Sequence, residues 1–359
     1  MTTSEFIRLA LAVVLILGFA AWRLGIRSFI KERREKQRKQ AALAQRKTQA
    51  HQANSRAQQE QEARARRTSQ ILKLDLQGLA QKSVSAGGLD IWYLEGGITG
   101  RGPTALLLHG FASRKEDWNG FAAPLLQAGL HVIAPDLPGF GQNAKAPDLG
   151  YEVTSQAKRV RAFAAALQLR RFHLVGSSLG GSIAAALTYG APDLVASLTL
   201  IEPFGVRVPY ESQLDQYLQR GVNPLTISTP EAYDNLLGFL FETPPAMSEA
   251  VKRHRAEETA AHRDFYLKMW PQIRGGERAH LLDLLLPEIK VKTLAIQGAK
   301  SKVTHPATGK IVANMVRGAQ AVEIPDCGHL PAVEKPEETA RCFLRLVAEE
   351  VPGARAVGT

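Results

Sequence analysis

The stretch Leu174-Val-Gly-Ser-Ser-Leu-Gly-Gly181 decides the fold. An apolar run at 172–176 leads into G-x-S-x-G, and a helical stretch at 182–189 leads away from it. A strand that turns sharply through a serine into a helix is a nucleophile elbow. Such a turn lifts the Ser178 hydroxyl above the sheet, and Gly176 and Gly180 leave the chain room to make it. The helix aims its N-terminus at the serine and favours negative charge there. The competing reading, an ordinary glycine turn, requires neither a strand before it nor a helix after it.

Working outward, short apolar runs alternate with helical stretches. Strands are expected at 90–94, 105–109, 131–135, 197–202, 293–297 and 321–324, besides 172–176. Helices are expected at 155–169 and 335–350. This alternation implies a mainly parallel sheet, here of eight strands, covered on both faces. Gly87-Gly88 and Gly96-Gly97 read as hairpin turns. Residues 204–289 interrupt the alternation and read as several helices, one of them starting after Ser228-Thr-Pro-Glu231 with a Thr cap before a first-turn Pro. Lying between two strands, they form an inserted lid rather than a further domain. Its apolar blocks, 236–241 and 281–286, are expected to pack mainly on the body.

The first 70 residues differ in kind. They carry a net charge of +10 out of +11 for the whole chain, so the remainder is nearly neutral. A nucleic-acid module would carry its positive charge on the folded face, and that class is set aside. The uncharged run Leu-Ala-Leu-Ala-Val-Val-Leu-Ile-Leu-Gly-Phe-Ala-Ala-Trp, residues 9–22, is followed by the basic block Lys-Glu-Arg-Arg-Glu-Lys-Gln-Arg-Lys, residues 31–39. Extended by snorkelling arginines, the run can span a bilayer, and the basic block keeps its own side in the cytoplasm. A transmembrane anchor over 1–30 is expected; a cleaved signal peptide and a surface helix are the alternatives. Residues 31–70 are rich in Ala, Gln, Lys and Arg and read as a solvated stalk. The globular domain is expected at 71–352. Two cysteines, Cys327 and Cys342, make no disulfide framework. Neither paired metal-ligand spacing nor a phosphate-binding loop is present, so no metal and no cofactor is expected.

Four motifs fall in one order: His109-Gly-Phe111, Pro135-Asp-Leu-Pro-Gly-Phe-Gly141, the Ser178 elbow, and Cys327-Gly-His329. Over residues 71–350 the chain thereby resembles the α/β-hydrolase family. Ile227-Ser-Thr-Pro-Glu231 and Asp264-Phe-Tyr-Leu-Lys268 further resemble its membrane-anchored monoacylglycerol lipase branch. The resemblance implies oxyanion donors at the backbone N–H groups of Phe111 and Leu179, and a structural Asp136. His329, in a Gly-His turn after the last strand, is the candidate general base. His109, His131 and His173 are less well placed, and His305 lies near the expected mouth.

The third triad member is the irregular one. The family usually supplies an Asp a few residues beyond Gly298, and that position here aligns with Ser301, which brings no charge. Glu202 ends the neighbouring strand, where some members of the family, including a group of haloalkane dehalogenases, carry their acid. Its competing role is structural, capping the Pro203 turn or pairing with Lys or Arg. The expected activity is a membrane-anchored serine hydrolase acting on lipid or small esters through Ser178, His329 and Glu202. The alternative is a non-catalytic hydrolase-fold module for lipid binding or assembly.

Overall fold

Strand β1 (Leu79–Ala86) turns back through Gly87-Gly88 and pairs antiparallel along its whole length with β2 (Leu89–Gly96). This is a computed structural model, and it describes residues 78–97, 102–275 and 279–351. The expected anchor and stalk, residues 1–70, lie outside the described residues. Among those described, no helix is long and apolar enough to cross a membrane.

Six further strands complete one sheet: β3 (Thr104–Leu108), β4 (His131–Pro135), β5 (Phe172–Ser177), β6 (Val195–Ile201), β7 (Lys292–Gly298) and β8 (Gln320–Ile324). Their order is β1-β2-β4-β3-β5-β6-β7-β8, parallel from β4 onward. The central strands β4, β5 and β6 are buried at every position, which is why they read as unbroken apolar runs. One expectation is corrected here. Gly96-Gly97 is not a hairpin turn, because β2 neighbours β1 and β4 and the chain passes over β4 to reach β3.

Helices cover both faces. On one face α1 (Asn119–Gln127) and α11 (Pro336–Val347) bury Phe121, Leu125, Phe343 and Leu344. On the other, α2 (Val153–Ala166), α3 (Leu179–Gly190) and α9 (Thr308–Met315) bury Val160, Phe163, Ile183 and Val312. Between β6 and β7 run α4 (Gln213–Gln219), α5 (Tyr233–Leu240), α6 (Glu249–Ala261), α7 (Arg263–Arg274) and α8 (Leu281–Leu285). Thr229 does occupy a cap position, but of a 3-10 turn, Pro230–Ala232, and its side chain makes no cap bond. A short helix, α10 (Pro331–Glu334), follows the last strand.

The chain leaves β3 for β4 on one side and reaches β5 on the other. In open α/β sheets the crevice beyond the carboxyl ends of strands at such a reversal is where ligands bind.

Candidate active site

Five strand ends converge there. Phe111 follows β3, Ser178 follows β5, Glu202 follows β6, Ser301 follows β7 and His329 follows β8. Ser178 sits at φ 52°, in the left-handed region that a residue with a β-carbon rarely adopts. The surrounding packing holds this strain. A β-carbon at Gly180 would lie 2.1 Å from the Leu108 carbonyl oxygen, so only glycine lets α3 start hard against β3. The contribution of Gly176 and Gly180 is thus close approach, while the strained conformation belongs to the serine itself.

The His329 Nε2 atom lies 3.0 Å from the Ser178 hydroxyl, and its Nδ1 lies 3.1 Å from Glu202 Oε2. With Nδ1–H donating to the carboxylate, Nε2 is left as the acceptor for the serine proton. The backbone N–H of His329 donates to the Leu240 carbonyl at 2.8 Å, so the C-terminus of α5 fixes the histidine loop.

Glu202 is fully buried and also left-handed, at φ 51°. Its Oε1 accepts the Gly298 N–H at 2.6 Å, and its Oε2 accepts the Ser301 hydroxyl at 2.9 Å and the Thr304 hydroxyl. None of these partners is a lysine or an arginine. Gly298 can present its N–H because a β-carbon there would stand 2.0 Å from the Gly328 carbonyl oxygen, drawing the end of β7 against the histidine loop. Ser301 therefore stays in the site, 3.4 Å from His329 Nδ1, as a hydroxyl that orients the carboxylate instead of replacing it. Thr304 was not singled out from the sequence. Its signal was a second hydroxyl three residues after Ser301 in one tight turn.

The backbone around Phe111 is brought close as well. A β-carbon on Gly110 would meet that of Ser178 at 3.2 Å. Leu179 is the first residue of α3, and helix-initial N–H groups have no intrahelical acceptor. His109 is structural: Nδ1 faces the Gly110 carbonyl at 2.8 Å and Nε2 accepts the Leu137 N–H at 2.9 Å. Burial pushes its pKa down, against the pull of Asp136, and it stays neutral. Asp136 accepts from the backbone N–H of Lys115 and Gln142 and from the Lys115 ammonium. Burial works to raise its pKa, but Lys115 and these bonds hold it below the usual carboxylate range.

Two chambers meet at Ser178 and Phe111. The larger, about 1050 Å³, mixes apolar walls such as Trp270 and Leu267 with Arg263, Arg274 and His305. The smaller, about 90 Å³, is lined by Leu236, Leu237, Leu240 and Phe241 from the first apolar block of the inserted helices. In the second block Leu282, Leu285 and Leu286 are buried in the core, whereas Leu284 is 72% exposed.

Residues 103–336 match the family described as alpha/beta hydrolase fold. A monoacylglycerol lipase of Xenopus laevis, abhd6-B, is 29% identical over 273 residues, covering 74% of this chain and 81% of the relative. Lipase 1 of Psychrobacter immobilis is 30% identical over 262 residues, 71% of this chain and 80% of its own. Among solved structures, that of a membrane phospholipase A, a bacterial virulence factor, superposes with a TM-score of 0.75 at 38% identity over 81% of this chain and 91% of that one. The chain is a carboxylic ester hydrolase. It belongs to the alpha/beta-hydrolase family, among relatives that are lipases.

Proposed function

We propose that the chain hydrolyses esters of single-chain lipids, monoacylglycerols foremost, with Ser178 as nucleophile, His329 as general base and Glu202 as the acid of the triad. The observation that carries this reading is the run of contacts from Ser178 Oγ through both nitrogens of His329 to Glu202, at 3.0 and 3.1 Å. His329 Nε2 takes the serine proton as Oγ attacks the ester carbonyl carbon. The carbonyl oxygen becomes an oxyanion, held by the N–H groups of Phe111 and Leu179. Glu202 fixes the histidine tautomer and stabilises the imidazolium. His329 then protonates the departing alcohol, and water activated by the same nitrogen cleaves the acyl enzyme.

Chambers on either side of Ser178 provide room for the acyl and alcohol halves of such an ester. Attachment to a membrane through residues 9–22, with the domain on the cytoplasmic side, follows from the apolar run and the basic block after it. A phospholipid substrate is the second reading, favoured by the 38% identity to a phospholipase A and by two arginines in the larger chamber. A hydrolysis panel of monoacylglycerols, lysophospholipids and p-nitrophenyl esters of rising chain length tests this. Turnover is expected to be highest on a monoacylglycerol; activity confined to short p-nitrophenyl esters would contradict the lipid assignment.

A further inference from the structure

The loop that carries Phe111 is held in an unusual way. Ala112, the next residue, has φ 53°, a left-handed conformation in a residue that has a β-carbon. Such backbone persists only where neighbours over-determine it. The Ser113 N–H closes the turn on the Gly110 carbonyl at a long 3.4 Å. That bond is weak, so the fixing forces come from elsewhere.

Phe140, after β4, supplies one contact to the Phe111 ring, 5.9 Å between centroids, and the inserted helices supply others on two sides. The Phe111 ring packs edge-on against Tyr266 and Trp270 of α7, with centroids 5.4 and 5.1 Å apart. On the other side, the Ser113 hydroxyl donates to Asp117 Oδ2 at 2.7 Å. Asp117 Oδ1 accepts from Arg255 of α6 at 3.1 Å. Arg114, which precedes the 3-10 turn Lys115–Trp118, pairs with Glu258 of α6 at 2.8 Å.

Arg255 and Glu258 are three residues apart and share one face of α6, while Arg114 and Asp117 flank the start of the 3-10 turn and meet them there. Four charges of zero net sum therefore join the start of the oxyanion loop's exit to one turn of α6. All four side chains are at most 21% exposed. Burial would favour the neutral acids, yet the arginines hold Asp117 and Glu258 below the ordinary carboxylate range. Arg114, Asp117 and Arg255 also line the smaller chamber beside Ser178 and His329.

We propose that the crossed ion pairs Arg114–Glu258 and Asp117–Arg255 are a positioning device that sets the oxyanion loop, so that the Phe111 N–H faces the Ser178 hydroxyl only while α6 is docked. The proposal rests on the reading of Phe111 as an oxyanion donor. These residues do not touch the reacting atoms; they act through Ser113 and the strained Ala112. The device makes formation of the oxyanion hole conditional on the inserted helices being seated.

Steady-state kinetics on the full-length protein tests it, with thermal unfolding measured beside them. Ser113→Ala removes the link from loop to quartet and keeps all four charges. It is expected to lower kcat about tenfold, with KM within twofold and the unfolding temperature little changed. Arg114→Glu and Glu258→Arg are each expected to lower kcat by tenfold or more, and the double exchange to recover at least a third of the wild-type value. An unchanged kcat in Ser113→Ala, or a double exchange no better than its parents while folded, overturns the proposal. Wild-type turnover with unaffected variants defeats only this inference, whereas absent wild-type turnover defeats the enzyme reading beneath it.

Discussion

Glu202→Gln is expected to lower kcat/KM about 10⁴-fold, the effect seen when a triad acid becomes its amide. The amide has one acceptor oxygen for two N–H donors, that of Gly298 on Oε1 and that of His329 on Oε2, and in either orientation it brings no charge to stabilise the imidazolium. The side chain keeps its shape, and two of its four donors are hydroxyls that can rotate to accept from the new amide group. A rescue sharpens the result. Ser301 Oγ lies 3.4 Å from His329 Nδ1, so a carboxylate at that position, one bond longer, reaches the imidazole. Glu202→Gln combined with Ser301→Asp is therefore expected to regain at least 100-fold of the lost activity. Ser301→Asp alone sets two carboxylates beside one histidine and should be impaired, because like charges at such range cannot both ionise freely. Full activity in Glu202→Gln would return Glu202 to a structural role.

The second large effect concerns stability. Lys115 is fully buried, with its ammonium 2.9 Å from Asp136 and near Glu116 and Gln142. Asp136→Asn leaves that cation short of charge. Removing one partner of a buried pair costs ~3–5 kcal/mol. With Glu116 still 2.7 Å away, the lower end is expected, an unfolding temperature ~6–12 °C below wild type. The pH dependence has a definite sign. The Asp136 pKa is depressed on folding, so its stabilisation is complete above the unfolded-state value of ~3.9 and is lost as pH falls through the folded value. Lys115 is the reverse case. Burial lowers its pKa, but Asp136 and Glu116 outweigh burial and raise it. Its stabilisation is complete below the unfolded-state value of ~10.4 and fades as pH rises through the folded one. Calorimetry across pH should show wild type losing stability in acid more steeply than Asp136→Asn.

The central strands β4, β5 and β6, buried at every position, announced themselves in the sequence as continuous apolar runs, and all seven strands named there, the more exposed β2 and β8 included, start and end within two residues of the observed bounds. The edge strand β1 did not. Its sequence, Leu-Ala-Gln-Lys-Ser-Val-Ser-Ala, is buried only at the two ends, so no apolar period marks it. Its pairing is imposed by β2 and the turn at Gly87-Gly88. The elbow was legible because serine between glycines at a strand–helix junction is a recognisable pattern, and the Gly-His turn because this fold leads one to expect a histidine after the last strand.

Glu202 was legible through two departures taken together: an acid missing at Ser301 and an acid present one strand away. Its left-handed backbone and its four donors were not, because they depend on how β6, β7 and the turn after β7 approach one another. Nor was the Arg114–Glu258 contact, which joins positions 144 apart with no local pattern to link them. Lys115 likewise lies in a charged stretch with no local sign of burial, and only the fold buries it.

The most direct measurement of the account is reaction of the protein with a fluorophosphonate probe, followed by mass mapping of the labelled peptide. Modification of Ser178 is expected in wild type, abolished in Ser178→Ala and strongly slowed in Glu202→Gln. A label on the adjacent Ser177, or no label under conditions that modify other serine hydrolases, would contradict it.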